Sequence, residues 1–241
     1  MSLRATSVEC SHLQLHEIDR MFEIYSASYH DTCRMRFAQD IDDKTHCIVL
    51  RDADEVIVGF STLKLYDTTW ENLRRRIIFS GDTIIDREHW GSQQLAFAWS
   101  RLVGELWRQS PGTPLYWFLI CKGHRTYRYL RAMILNYAPR AATVTAPEVQ
   151  RLMDHLAHSR FGPAYNPQTG LVTFDTPQGR LTEALAQVPE THLRLPEVAY
   201  FLQKNPRYAS GDELVCLCEL TPSNFRPFAL RLFGSVQPTP C

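Results

Sequence analysis

A mixed α/β sheet, antiparallel in its first half and parallel at one strand pair, is the fold class the sequence predicts. Two stretches carry that reading. "HCIVLRDADEVIVGFSTLKLY" (46–66) holds two apolar runs joined by an Asp-Ala-Asp-Glu turn, the pattern of an antiparallel hairpin. "RRIIFSGDTIID" (75–86), a helix-periodic stretch and "PLYWFLICK" (114–122) then make a strand–helix–strand crossover, whose strands are parallel.

The elements follow in order. "LHEIDRMFEIYSASY" (15–29) spaces Ile18, Met21, Phe22 and Tyr25 on one helical face, and "CRMRFAQDIDDK" (33–44) reads as a second short helix. After the hairpin, "RRR" (74–76) reads as a solvated turn. The strand behind it is disturbed near Ser80 and Gly81, the mark of a bulge. Leu95, Trp99, Leu102, Val103 and Leu106 form the apolar face of the next helix, which "SPG" (110–112) stops. The unbroken apolar run at 114–122 suits a strand covered on both faces. "HRTYRYLRAMIL" (124–135) is a further helix. Beyond it, helices are expected at 146–161 and 195–208 and strands near 171–174 and 213–220. The chain reads as one domain whose core, about 15–137, is completed by those two strands, with helical insertions over about 146–208 lying across the cleft. The final "SVQPTPC" is expected to be disordered. A Rossmann domain would begin with the crossover and carry G-x-G-x-x-G at its first turn, and neither holds.

Composition narrows the partners. Lys+Arg and Asp+Glu are both 26, so no bulk charge draws the chain to nucleic acid or to a membrane surface. No apolar run reaches the length of a membrane span, and the first residues lack the apolar segment of a signal peptide. Seven scattered cysteines without a secretory signal imply reduced thiols and a cytoplasmic protein. Cys216 and Cys218 fall on one side of a strand with no second ligand pair at metal spacing, so no metal is expected.

"GDTIIDREHWGSQQLAFAW" (81–99) runs from a strand through a polar bend into a helix, a join whose free N–H groups and positive dipole end can hold a phosphate. It has one glycine in the bend, Gly91, where phosphate loops have several. Helix pair, hairpin, bulged strand, bend, helix, buried strand and helix, in that order, resemble the GNAT superfamily of acyltransferases over roughly residues 15–137. The family's Arg/Gln-x-x-Gly-x-Gly/Ala loop, which holds the pyrophosphate of coenzyme A, is here Trp90, Gly91, Ser92, Gln93, Gln94, Leu95. The opening Arg/Gln and both motif glycines are missing.

The resemblance implies a splayed parallel pair. It implies an N-acyltransferase moving an acyl group from a pantetheine thioester, acyl-CoA or acyl carrier protein, to an amine of a small molecule. Donor contacts would come from the backbone of Ile84 and Ile85, the bend residues Gly91, Ser92 and Gln93, and the basic Arg125 and Arg128. With Gln93 and Leu95 crowding the bend, a carrier protein is the favoured donor, its acidic surface facing Arg125, Arg128 and Arg131. The plainer reading of that stripe is a solvated helix face. Asp82, in the bulge, is the candidate general base, or a bulge cap. Tyr127 shares a face with Leu130 and Ile134 and is the candidate donor of a proton to the thiolate, or a core tyrosine. Cys121 beside His124 is a lesser candidate, a nucleophile or inert packing. The rival function is a fold of this type that has lost catalysis and binds a ligand or partner.

Overall fold

The computed structural model describes residues 3–176 and 178–235. The expectation for "SVQPTPC" lies, past Ser235, outside the described residues. The first half of the chain folds as β1 (Arg4–Glu9), α1 (Leu15–Ser28), β2 (Tyr29–His30), α2 (Arg34–Asp43), β3 (His46–Arg51), β4 (Ile57–Trp70), β5 (Leu73–Ile85), α3 (Gln94–Arg108), β6 (Leu115–Cys121) and α4 (His124–Met133). The second half adds α5 (Pro147–Phe161), β7 (Tyr165–Asn166), β8 (Leu171–Val172), β9 (Arg180–Leu181), α6 (Glu183–Ala186), α7 (Glu190–Leu193), α8 (Pro196–Lys204), β10 (Glu213–Glu219) and α9 (Pro227–Gly234).

Eight strands form one sheet in the order β1-β3-β4-β5-β6-β10-β8-β7, and β2 pairs with β9 apart from it. Every neighbouring pair is antiparallel except β5–β6, which run parallel from Arg76↔Leu115 to Ser80↔Leu119. Past Ser80 the two strands part. β5 stays with β4 as far as Ile85↔Gly59, while β6 stays with β10 as far as Cys121↔Leu214. This mixed sheet, with an antiparallel half and a splayed parallel pair, is the fold class expected from the order of elements.

A bulge sits where the strands part. Leu63 faces Ser80 and Ser61 faces Thr83, so Gly81 and Asp82 together oppose Thr62. The extra residue twists the strand away from its neighbour. Only glycine fits at 81, because a Cβ there would stand 2.3 Å from Thr62 Oγ1 and 2.7 Å from Lys44 Cε.

The two faces of the sheet are covered differently. On one face α3, α4, α8 and α9 form a continuous layer, in which Leu95, Trp99, Leu102, Leu130 and Phe233 pack with Ile78, Trp117 and Leu119. The other face is divided. Met21, Ile24, Phe37 and Ile41 of α1 and α2 cover Val49, Phe60 and Ile84. Leu152, Met153 and Leu156 of α5 cover Ile77, Phe118 and Leu217. The alternation of Trp117, Phe118 and Leu119 between the faces explains the unbroken apolar run of β6. The divided face leaves a seam above the place where the sheet itself opens.

Three features depart from the sequence expectations. Arg76 belongs to β5 rather than to a solvated turn. It is 9% exposed and donates to Leu106 O (2.8 Å) and Ser110 Oγ (2.7 Å), where its charge meets the negative end of α3. β1 adds an edge strand whose mixed polar composition gives no alternating signal. α9 lies on α3 so closely that a Cβ on Gly104 would stand 2.0 Å from the Phe233 carbonyl oxygen.

Candidate functional site

The parted end of β5 builds a groove of about 330 Å³. Asp86 N–H donates to Val58 O (2.8 Å), which makes Asp86–Val58 a hydrogen-bonded pair. Such pairs alternate along an antiparallel ladder, so Ile84 is bonded to Phe60, whereas Thr83 and Ile85 turn their N–H and C=O into the gap. Ile85 O accepts a bond there from the Trp90 indole Nε1 (2.9 Å). The bend closes one end of the groove. A short turn at Arg87–His89 and the positive φ of Gly91 (+94°) bring the chain round to α3. The side chain of the capping residue Gln93 makes no cap bond, Ser92 Oγ accepts from the Gln94 N–H (3.4 Å), and the N–H groups of Leu95 and Ala96 have no acceptor within the helix. Arg125 and Tyr129 of α4 form the opposite wall, and Leu181 and Leu185 roof it. The Arg125 guanidinium lies over the Trp90 ring (5.1 Å) and donates to Leu185 O (2.5 Å).

A larger cavity of about 530 Å³ fills the seam on the divided face. Tyr29, Thr83, Lys122 and Thr126 line both spaces, so the two meet at the parted strands. Asp82 points its chemistry into the larger one. Its carboxyl is pushed up to about 6, first by burial and then by Asp40 and Glu213, against the opposing pull of Lys122 and Lys44. Asp82 makes no ion pair or hydrogen bond with a described residue. Its neighbours are all paired. Lys44, buried, bonds to the Asp40 carboxylate and backbone oxygen (3.2 Å to the latter). Lys122 stands 3.4 Å from Glu213 and donates to Gln178 O (3.1 Å). Burial raises Glu213 as well. A carboxyl that is half ionised near pH 6 and faces an open cavity can accept a proton from a ligand at neutral pH.

The structure brings most of the sequence candidates together. Asp82 lines the larger cavity, and Ile84, Ile85, Gly91, Ser92, Gln93 and Arg125 line the groove. The backbone of Ile84 is committed to β4 by the register, so Thr83 and Ile85 are the residues that offer backbone groups. Leu95 is 3% exposed and packed in the core, and it does not crowd the bend.

Arg128 is a correction. Its guanidinium lies 3.0 Å from His192 Nε2, outside the groove, and Arg131 stands 3.4 Å from Glu197. Of the stripe expected to face an acidic carrier, Arg128 meets His192 of α7, whereas Arg131 stays exposed and pairs with Glu197 of α8, which packs on α4.

Tyr127 is a second correction. It is fully buried, lines neither space and donates its hydroxyl to Pro139 O (2.9 Å). The face it shares with Leu130 is the core face, so the groove meets the other side of α4 at Arg125, Thr126 and Tyr129. Cys121 is buried against Cys216, with sulfurs 3.9 Å apart, and is packing rather than a nucleophile. His89 lies on the outer side of the bend. Sequence reasoning missed Tyr29, Lys44 and Glu213, and placed Lys122 with the donor-facing basic groups rather than against Glu213. The one available signal was a charged residue opening the apolar run of β10, since buried charges are rare without a partner.

No protein-family model matches the chain, and a search of curated proteins finds no match. Among solved structures it is similar to a GNAT family N-acetyltransferase of Escherichia coli in complex with CoA, at 11% identity and a TM-score of 0.40 over 56% of this chain and 71% of that one. It is similar to an acetyltransferase of Trypanosoma brucei at 14% identity and a TM-score of 0.43, over 60% of this chain and all of the other. A third is an acyl-CoA N-acyltransferase of Pseudomonas aeruginosa, with 14% identity, a TM-score of 0.39 and coverage of 61% and 95%.

Proposed function

We propose that this protein is an N-acyltransferase that moves an acyl group from a coenzyme A thioester to the amine of a small molecule. One observation carries the reading: two spaces of different character meet at the parted β5–β6 strands, with backbone donors in one and a raised carboxyl in the other. The groove is the donor site, with the pantetheine arm along the free edge of Thr83 and Ile85 and its phosphate end at the start of α3. The engagement of Arg128 by His192 of α7, and the burial of Leu95, favour coenzyme A over a carrier protein as the donor.

The acceptor enters the larger cavity as an ammonium and gives a proton to Asp82. Its nitrogen lone pair then attacks the thioester carbonyl at the junction. The oxyanion that forms is met by the Thr83 N–H, which the register turns into the gap. Collapse of the intermediate breaks the carbon–sulfur bond, and the thiolate takes a proton from Tyr129, the phenol of α4 that lines the groove. The second proton of the amide nitrogen returns to the phenolate through water, and Asp82 releases its proton to solvent. The products are an amide and free coenzyme A.

Thiol release from acetyl-CoA, followed across a panel of small amines, tests the reading. Amine-dependent release is expected, together with calorimetric binding of free coenzyme A. Coenzyme A binding without release on any amine would favour the non-catalytic ligand-binding rival.

A further inference from the structure

The larger cavity has a one-sided pattern of charge. Five carboxylates line it, and four are already paired: Asp31 with Arg180, Asp40 with Lys44, Asp43 with Lys64 and Arg160, and Glu213 with Lys122. Asp82 is the fifth and has no ion pair among the described residues. The lining cations show the reverse. Lys44, Lys122 and Arg160 are held by protein carboxylates, and Arg36 has a partner too. A ligand carboxylate entering here meets only cations that already have partners, whereas a ligand ammonium meets a carboxylate that has no ion pair among the described residues.

The remaining walls are aromatic. Tyr25, Tyr29 and Phe37 contribute one group, with ring centroids 4.9–5.0 Å from Tyr25. Phe79, Phe161 and Phe174 contribute another, 6.0–6.1 Å apart in sequence of contact. The two groups come from the two core clusters that flank the seam. Arg160 already lies over the Phe79 ring (3.9 Å) and Lys122 over the Tyr29 ring (5.1 Å), and the remaining rings offer faces and edges to an aromatic body. A volume of about 530 Å³ lies within the range of small-molecule sites.

We propose that the acceptor is an arylalkylamine: one primary amine, an aromatic or apolar body and no carboxylate. The proposal rests on the acyltransferase reading for its word acceptor, but the cavity's preference can be measured without transfer. Asp82 holds the ammonium, the two aromatic groups hold the body, and the closed set of ion pairs rejects the carboxylate of an amino acid.

The experiment compares four matched probes by calorimetry and saturation-transfer NMR on the full chain: phenethylamine, phenylalanine, hydrocinnamate and butylamine. Phenethylamine is expected to bind at least about tenfold more tightly than phenylalanine or butylamine, with hydrocinnamate weakest. Asp82→Asn is expected to weaken phenethylamine about tenfold with its melting profile still cooperative. Binding of phenylalanine within about threefold of phenethylamine overturns the exclusion of the carboxylate. Equal binding of butylamine overturns the aromatic body, and binding of none of the four overturns the assignment. Transfer from acetyl-CoA is scored separately. The expected ranking without thiol release refutes the acyltransferase reading alone, and release with a different ranking refutes the arylalkylamine alone.

Discussion

The two spaces that meet at the parted strands are made in opposite ways. The groove takes its floor and one end from a single run of chain, Thr83 to Ala96, and is completed by the start of α4, the end of α1 and the roof of Leu181 and Leu185. The cavity draws on α1, α2, β5, β6, α5 and β10, from Tyr25 to Glu213. A site written in consecutive residues gets its geometry from local rules: a strand end, a bend with a positive φ and a helix start. A site written across the chain gets it from the packing of elements that carry no mark of it in sequence. In the proposed reading the groove therefore sets the type of donor, and the cavity is free to vary with the acceptor.

The largest expected effect falls on the cavity side. Asp82→Asn keeps the size of the residue and removes the base, and should lower turnover on the order of 10²–10⁴-fold while leaving coenzyme A affinity unchanged. The same change should stabilise the fold at neutral pH. The folded-state pKa of Asp82 lies above the unfolded one, so its contribution is fully present below the unfolded value and is lost as pH rises through about 6. Above that pH the charged carboxylate opposes folding, by up to roughly 3 kcal/mol for a shift of this size. Urea melts at acid and neutral pH measure it. Equal stability of parent and variant at both pH values would mean that Asp82 is not held in this environment.

Next comes a contrast between two tyrosines of one helix. Tyr129→Phe should lower turnover by about tenfold or more, with stability unchanged. Tyr127→Phe should leave turnover unchanged and cost about 1 kcal/mol of stability, because Pro139 O loses its donor. The reverse outcome would return the proton donor to the core face and break the assignment of the groove to α4's outer side.

These contrasts also mark what was legible in the sequence. The helix faces and β6 were readable because burial imposes periods of 3.6 and two on apolar residues. The bulge was readable from Gly81 because a close approach leaves room for nothing larger. The choice between Tyr127 and Tyr129 needed the fact that an apolar helical face turns towards the core and away from a cleft. Arg128 looked exposed because nothing in a basic stripe announces the His192 that later covers it. Lys122, which directly follows β6, and Glu213, which opens β10, are far apart in sequence, and their pairing appears only once β6 and β10 are side by side.

The same pair gives a third, smaller effect on the cavity. Glu213 raises the Asp82 carboxyl and Lys122 lowers it. Asp40 and Lys44 also face Asp82, and stay in place in either variant. Glu213→Gln should move the rising limb of the rate–pH profile to lower pH, and Lys122→Met should move it to higher pH. Shifts in the same direction for both variants would mean that this limb does not report Asp82.

The smallest effect belongs to the groove and tests whether its free edge is where a donor sits. Thr83 and Ile85 turn backbone groups into the gap, and one of them, Ile85 O, is already occupied by the Trp90 indole. A pantetheine amide that pairs with this edge has to displace that bond. The net worth of one such hydrogen bond is about 0.5–1.5 kcal/mol. Trp90→Phe removes the competing N–H, keeps a ring beneath the Arg125 guanidinium and leaves Ile85 O open to the ligand. Coenzyme A should then bind the variant about 2–10-fold more tightly by calorimetry, with turnover limited by the same Asp82 step. Weaker binding would mean that Trp90 is a wall the donor needs, and the pantetheine path would have to run along α4 rather than along β5.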